Sequence, residues 1–158
     1  GKTMASIRCA QAVVPIMRAQ GGGRIVCIGG TSARSTFRGA ERAGTGSAVP
    51  QGLGNSALTN FVKHLSDEVA ADGILVNVVH PHQIATERSD DRFAKRAREL
   101  SVDEAELRRQ AAAQFPVGRM LTPEDVVPLV LLLSSPVVRG ITGQSIAVDG
   151  GALRNITY

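Results

Sequence analysis

The chain has 158 residues, 43% of them hydrophobic, 20% charged and 3% aromatic, with 17 Gly, two Cys and a formal charge of +4. That balance excludes a disordered chain, a collagen-like repeat and a disulfide scaffold, and the length suits one domain that buries roughly two thirds of its unfolded surface. The longest apolar run, Val126–Leu133, is about half of the ~18 residues a membrane span needs, and Cys9 and Cys27 supply neither a disulfide framework nor a thiolate metal site, so a cytoplasmic protein with no membrane partner is expected.

The basic excess does not form a stripe. Across Glu87–Arg109 acids and arginines alternate at helical spacing, the pattern of a solvated helix face laced with ion pairs. A nucleic-acid interface would need an unmixed basic surface or stacking aromatics, and the aromatics here are four Phe and the C-terminal Tyr158, so no nucleic-acid partner is expected.

Met4, Ile7, Ala10, Val14 and Met17 recur at helical spacing over Thr3–Ala19, and Gly21-Gly22-Gly23 stops the helix. The chain thus opens on Gly1 and a helix with no leading strand, so a preceding segment is expected. Arg24–Ile28 is short and apolar between glycines, which reads as a buried strand. A small-residue loop, Gly29–Gln51, follows, and loops of this length are usually functional. Leu53–Ala71 reads as a second helix, with Leu58, Phe61, Val62, Leu65 and Val69 on one side and Asp72-Gly73 as its stop. Ile74–Val79 is the next buried strand, ended by His80-Pro81.

Charged helical sequence runs from about Asp90 to Ala113, with a restart at Ser101, where Ser-Val-Asp-Glu matches a capping box. Thr122-Pro123-Glu124-Asp125 opens a helix through Leu133: an N-cap, a proline at the first position, then acids at the positive end of the dipole. Gly140–Gly143 turns into a last strand, Ser145–Val148. Helices alternating with apolar strands specify an α/β fold with a parallel sheet. Only three strands are visible, where a doubly wound sheet has about six, and Arg24–Ile28 would keep an unpaired edge.

Gly23-Arg24-Ile25-Val26-Cys27-Ile28-Gly29, Asp72-Gly73-Ile74-Leu75-Val76-Asn77-Val78-Val79-His80-Pro81, Arg119-Met120-Leu121-Thr122-Pro123-Glu124-Asp125-Val126 and Ile141-Thr142-Gly143-Gln144-Ser145-Ile146-Ala147-Val148-Asp149-Gly150-Gly151 stand in that order. In these motifs the chain resembles the C-terminal part of the short-chain dehydrogenase/reductase family. The resemblance implies a single incomplete Rossmann-like domain over 1–158, holding the last three strands of a doubly wound parallel sheet. It places the dinucleotide-binding half, with its Gly-rich turn, outside these residues. The implied chemistry is hydride transfer between NAD or NADP and a carbonyl or alcohol. On the same basis Gly29, Pro81, His82, Ile84 and Thr86 are the cofactor-facing positions. The family's four-helix association contact would fall on residues 3–19 and 53–71, with a second contact on the last strand, which implies a homo-oligomer.

The family's proton chemistry uses a Tyr, a Lys four residues later, a Ser after the preceding strand and a helix Asn. The matched positions hold Gln51, Asn55, Gly30 and a residue near Lys2. Gln and Asn amides hydrogen-bond a carbonyl but do not exchange a proton near neutral pH, and glycine offers no side chain. With a shifted alignment Ser32 or Ser35 takes the Ser role. His82, where the family has Gly, is a substitute acid, since imidazole titrates near working pH. No dehydrogenase turnover is expected of the chain alone.

Gly52-Leu53-Gly54-Asn55-Ser56-Ala57 has the GxGxxA spacing of a phosphate turn but follows a loop rather than a strand. His80 and His82 with Glu87, Asp90 or Asp91 would make a metal set whose third ligand no spacing fixes, so no metal is expected. The readings that remain are an oxidoreductase portion with an altered site, a non-catalytic oligomerisation or partner-binding relative, and a decayed remnant. The Arg-rich segment Glu87–Pro116 would be the substrate lid, and suits either an acidic substrate or a solvated surface.

Overall fold

The computed structural model describes residues 1–36 and 48–154. In chain order it runs α1 (Lys2–Ala19), β1 (Gly23–Ile28), a 3₁₀ turn (Thr31–Ala33), α2 (Ala48–Val69), a 3₁₀ turn (Ala70–Asp72), β2 (Ile74–Pro81), α3 (Glu87–Leu100), α4 (Glu104–Ala112), α5 (Pro123–Ser134) and β3 (Ser145–Val148). Residues 37–47 of the loop expected over 29–51, and Tyr158, lie outside the described residues.

The three strands form one parallel sheet in the order β1-β2-β3. Ile28 is opposite Val79, and Pro81 is opposite Val148, so all three strands end on the same edge. Residues 74 to 80 of β2 are buried, as a central parallel strand covered on both faces requires. Its one polar member before the end, Asn77, is matched by backbone. Its Nδ2 donates to the Ile141 carbonyl at 2.8 Å, and its Oδ1 accepts from the Gln144 N–H at 3.0 Å. That pair fixes the turn into β3.

Side chains alternate across a sheet. Ile25 and Cys27 of β1 and Ile74, Val76 and Val78 of β2 point to one face, where α1 and α2 bring Val14, Met17, Leu58, Phe61, Val62, Leu65 and Val69. Arg24 faces the other way and donates to the Val138 carbonyl beyond α5 at 2.9 Å. Both glycines at the sheet's entrance are required: Gly73 is left-handed (φ +73), and a Cβ on Gly22 would lie 2.8 Å from the Gly73 carbonyl oxygen. Among the described residues β1 pairs only with β2, leaving its outer edge without a strand and Ile28 45% exposed.

Three expectations are corrected. Helix α2 begins at Ala48, not Leu53, because Pro50 falls in its first turn, where no N–H is needed. Ser101 does not start α4: it is the C-cap of α3, at φ 55, and Asp103 starts α4, its carboxylate accepting from the Ala105 N–H at 3.1 Å. Helix α3 starts at Glu87 on a Thr86–Ser89 capping box, ahead of Asp90. The Thr122 start of α5 is as expected. Asp125 accepts from the Thr122 N–H at 2.8 Å and pairs with Arg119 at 2.7 Å, which holds its carboxyl far below the usual range. No helix among the described residues is long and apolar enough to cross a membrane.

Leu58 is fully buried between α2 and the sheet, whereas Leu131 on α5 is 64% exposed. Leu58→Ala should therefore lower unfolding free energy by about 3 kcal/mol, and Leu131→Ala by well under ~1 kcal/mol, in urea titrations followed by circular dichroism.

Candidate functional site

The carboxyl ends of β1 and β2 lie side by side, and the buried polar residues Thr31, Asn55 and His80 meet there. His80, the last buried residue of β2, has no exposed surface. Its Nδ1 accepts the Gly30 N–H at 2.9 Å, which assigns the ring proton to Nε2. Nε2 lies 3.1 Å from the Thr59 hydroxyl of α2 and 3.0 Å from the Ser145 hydroxyl of β3. One imidazole thus ties the turn after β1, helix α2 and β3 to the central strand. Burial, then the nearby charge of Arg34, pushes its pKa down to about 4, so it is neutral at physiological pH.

The glycines beside it make room for this ring. A Cβ on Gly29 would run into the His80 imidazole, and one on Gly30 would lie 2.8 Å from Asn55 Nδ2. Asn55 is buried (2% exposed) and engaged at both ends. Nδ2 donates to the Ser32 hydroxyl at 2.8 Å, and Oδ1 accepts from the Lys2 ammonium at 3.2 Å. Lys2 also donates to the Gly29 carbonyl at 3.1 Å. An ammonium thus reaches this crevice from α1, and the amide beside it comes from α2. Thr3 of α1 donates to the Gly54 carbonyl of α2 at 2.8 Å, which holds the two helix starts together.

His82 lies just past β2. Its Nδ1 is 2.7 Å from the hydroxyl of Thr31, which is 2% exposed, and its ring meets Phe115 edge-on with centroids 5.3 Å apart. The pair spans the two strand ends and gives the crevice a titratable ring anchored by a hydroxyl.

Of the residues singled out from sequence, Gly29, Gly30, Asn55, Ser32, Pro81 and His82 stand together here. Gln51 is exposed in the first turns of α2, and Ser35 turns its hydroxyl to the Thr36 carbonyl. Ile84 bridges to Leu121. The Thr86 hydroxyl accepts from the Ser89 N–H at the start of α3. Thr31, Thr59, Ser145 and Lys2 were not legible as partners, because each meets its histidine or amide across at least 21 residues of chain. The metal set does not assemble. Both His80 nitrogens have protein partners, and no group of three His, Cys, Asp or Glu among the described residues could hold an ion. Gly52 and Gly54 lie inside α2, where backbone N–H groups are used by the helix, so that GxGxxA run is no phosphate turn.

The described residues do not fit a dinucleotide's pyrophosphate. Side chains of His80 and Asn55 fill the space over Gly29 and Gly30, and the N–H groups of His82, Ala85 and Thr86 are given to Val148, Leu121 and Ser89. What the crevice does offer is hydrogen-bonding and basic groups at the strand ends, where open α/β sheets bind ligands.

The family model described as Enoyl-(Acyl carrier protein) reductase matches residues 2–152. Short-chain reductase protein NovJ of Streptomyces niveus is 31% identical over 146 residues, which is 92% of this chain and 51% of that protein. Senescence-associated protein 13 of Arabidopsis thaliana is 34% identical over 141 residues, 89% of this chain and 46% of that one. Among solved structures, L-sorbose reductase from Gluconobacter frateurii, complexed with NADPH and L-sorbose, superposes with a TM-score of 0.87 at 27% identity, covering 98% of this chain and 56% of that one. The chain spans about half the length of the curated relatives it matches.

The unfolded chain titrates a histidine near 6.5, and folded His80 near 4, so between those values the unfolded state binds more protons. The stability contributed by neutral His80 is complete above about pH 6.5 and is lost as pH falls towards 4, by up to ~3 kcal/mol. Urea midpoints at pH 7, 5.5 and 4.5 should fall in step, and His80→Gln should flatten that slope. The depressed Asp125 carboxyl acts in a separate window, below about pH 4.

Proposed function

This chain belongs to the short-chain dehydrogenase/reductase family, and on that premise we propose that the whole protein is an NAD(P)-dependent oxidoreductase acting on a carbonyl or alcohol. The observation that carries the reading is the contact of His82 with Thr31 at 2.7 Å, at the strand ends where the family's reaction takes place. The cofactor would supply or accept the hydride, and its pyrophosphate would be held by residues other than those described. Residues 81–86 of this chain form the wall on the nicotinamide side.

Reduction of a carbonyl leaves an oxygen that needs a proton. Gln51 and Asn55 cannot provide one near neutral pH, and Gly30 has no side chain. His82 can, with Thr31 fixing the tilt of its ring and Phe115 packing its edge. His80 is excluded from this role because it is fully buried, with both nitrogens bonded inside the fold.

A non-catalytic relative that keeps the association surfaces is the second reading. It is favoured by the absence of a proton-exchanging side chain at positions 30, 51 and 55, and by Met4 (50% exposed) and Leu53 (68% exposed) beside the Thr3–Gly54 contact of α1 and α2. In both readings the protein is a homo-oligomer through α1, α2 and the C-terminal strand.

With the whole protein, NADPH oxidation against a panel of ketones and aldehydes should show turnover. His82→Ala should lower kcat about 100-fold, and Thr31→Val should lower it less and displace its pH profile. These 158 residues alone should show neither turnover nor saturable NADH or NADPH binding tighter than about 100 μM by calorimetry. Turnover indifferent to His82→Ala overturns the proton assignment. No turnover by a well-folded whole protein favours the second reading, which a monomer in light scattering would in turn overturn.

A further inference from the structure

Several basic residues of this chain are matched with acids: Arg108 with Asp90 and Glu104, Arg96 with Glu99, Arg109 with Glu106, Arg18 with Asp72. Lys2 and Arg34 are held differently. The Lys2 ammonium donates to the Gly29 carbonyl and to Asn55 Oδ1, and the Arg34 guanidinium donates to the Ser145 carbonyl. Among the described residues no carboxylate bonds either of them.

Both cations stand around the same buried ring. Lys2 is on the Gly29 carbonyl, next to the Gly30 N–H that His80 Nδ1 accepts, and Arg34 is on the carbonyl of Ser145, whose hydroxyl meets His80 Nε2. Both charges disfavour protonation of that ring. The same strand ends carry the Ser32 hydroxyl, aligned by the Asn55 amide that also holds Lys2, and the Thr31–His82 pair. The site has donors on several sides and a surplus of positive charge.

We propose that this crevice binds an oxyanion group, a carboxylate or phosphate of a small ligand, between Lys2 and Arg34. Lys2 provides a point charge at the Gly29 side, Arg34 a planar fork at the Ser145 side, and Ser32 a hydroxyl from the turn. The proposal deepens the oxidoreductase reading and rests on it only in calling the ligand a substrate: the substrate would carry a negative charge close to its reacting carbonyl. Arg96, Arg108 and Arg109, engaged with their own acids, are not the source of that selectivity.

The test is calorimetry of the full chain with inorganic phosphate and, separately, malonate, at low ionic strength and without dinucleotide. Saturable binding with Kd near 1 mM is expected for at least one probe, and the tighter one identifies the group. Lys2→Gln and Arg34→Gln should each weaken it about tenfold, Lys2→Arg should retain it, and Arg109→Gln should leave it unchanged. In parallel, the His80 Cε1–H resonance followed by NMR should titrate at higher pH in the saturating probe, since an anion seated there offsets both cations. Circular dichroism of each variant separates lost binding from lost fold. No saturation up to 50 mM, or binding indifferent to both Lys2→Gln and Arg34→Gln, overturns the proposal. Because no cofactor or hydride transfer is involved, anion binding without turnover would defeat only the oxidoreductase reading, and turnover without anion binding only this one.

Discussion

The fold depends on β2 being buried along its length. Residues 74 to 80 present apolar side chains to α1 and α2 on one face and to the α5 side on the other, with β1 and β3 bonded along its two edges. Burial of this kind leaves no solvent to satisfy a polar group, so each polar member must find its partners inside the protein. Asn77 does so through the turn before β3, and His80 through Gly30, Thr59 and Ser145. The crevice follows from that requirement. His80 can be buried only as the neutral tautomer that accepts from Gly30, and that acceptance sets the path of the turn carrying Thr31 and Ser32.

Much of this architecture was legible in the sequence because it rests on short-range patterns. The apolar runs Ile74–Val79 and Ser145–Val148 and the Thr122–Asp125 helix start each hold their whole signal within a few residues. The structure departs from these patterns where two local signals compete. Pro50 has the composition of a loop end around it and lies in the first turn of α2. Ser101 carried the spacing of a cap, but Asp103 two residues later is the stronger acceptor, and the chain bends at Ser101 to let it act. The contacts of the site were hidden for another reason. Lys2 and Asn55 are 53 residues apart and Thr31 and His82 are 51 apart, and no periodicity links residues that only the packing of two strand ends brings together.

Gly29, Gly30, Asn55 and Lys2 also behave as a set, each accommodating the next. Gly30 has no side chain where Asn55 needs the space, and a Ser at 30 would bring its Cβ to 2.8 Å from the amide nitrogen. Asn55 gives its oxygen to Lys2 and its nitrogen to Ser32. Lys2 in turn covers the Gly29 carbonyl, and Gly29 is glycine because the His80 ring occupies its Cβ position. Changing any one of these alone introduces a clash or strands a buried polar group, which costs about 1–3 kcal/mol. That interdependence makes the ends of β1 and β2 one packed unit, with the ammonium reaching it from α1 and the amide from α2.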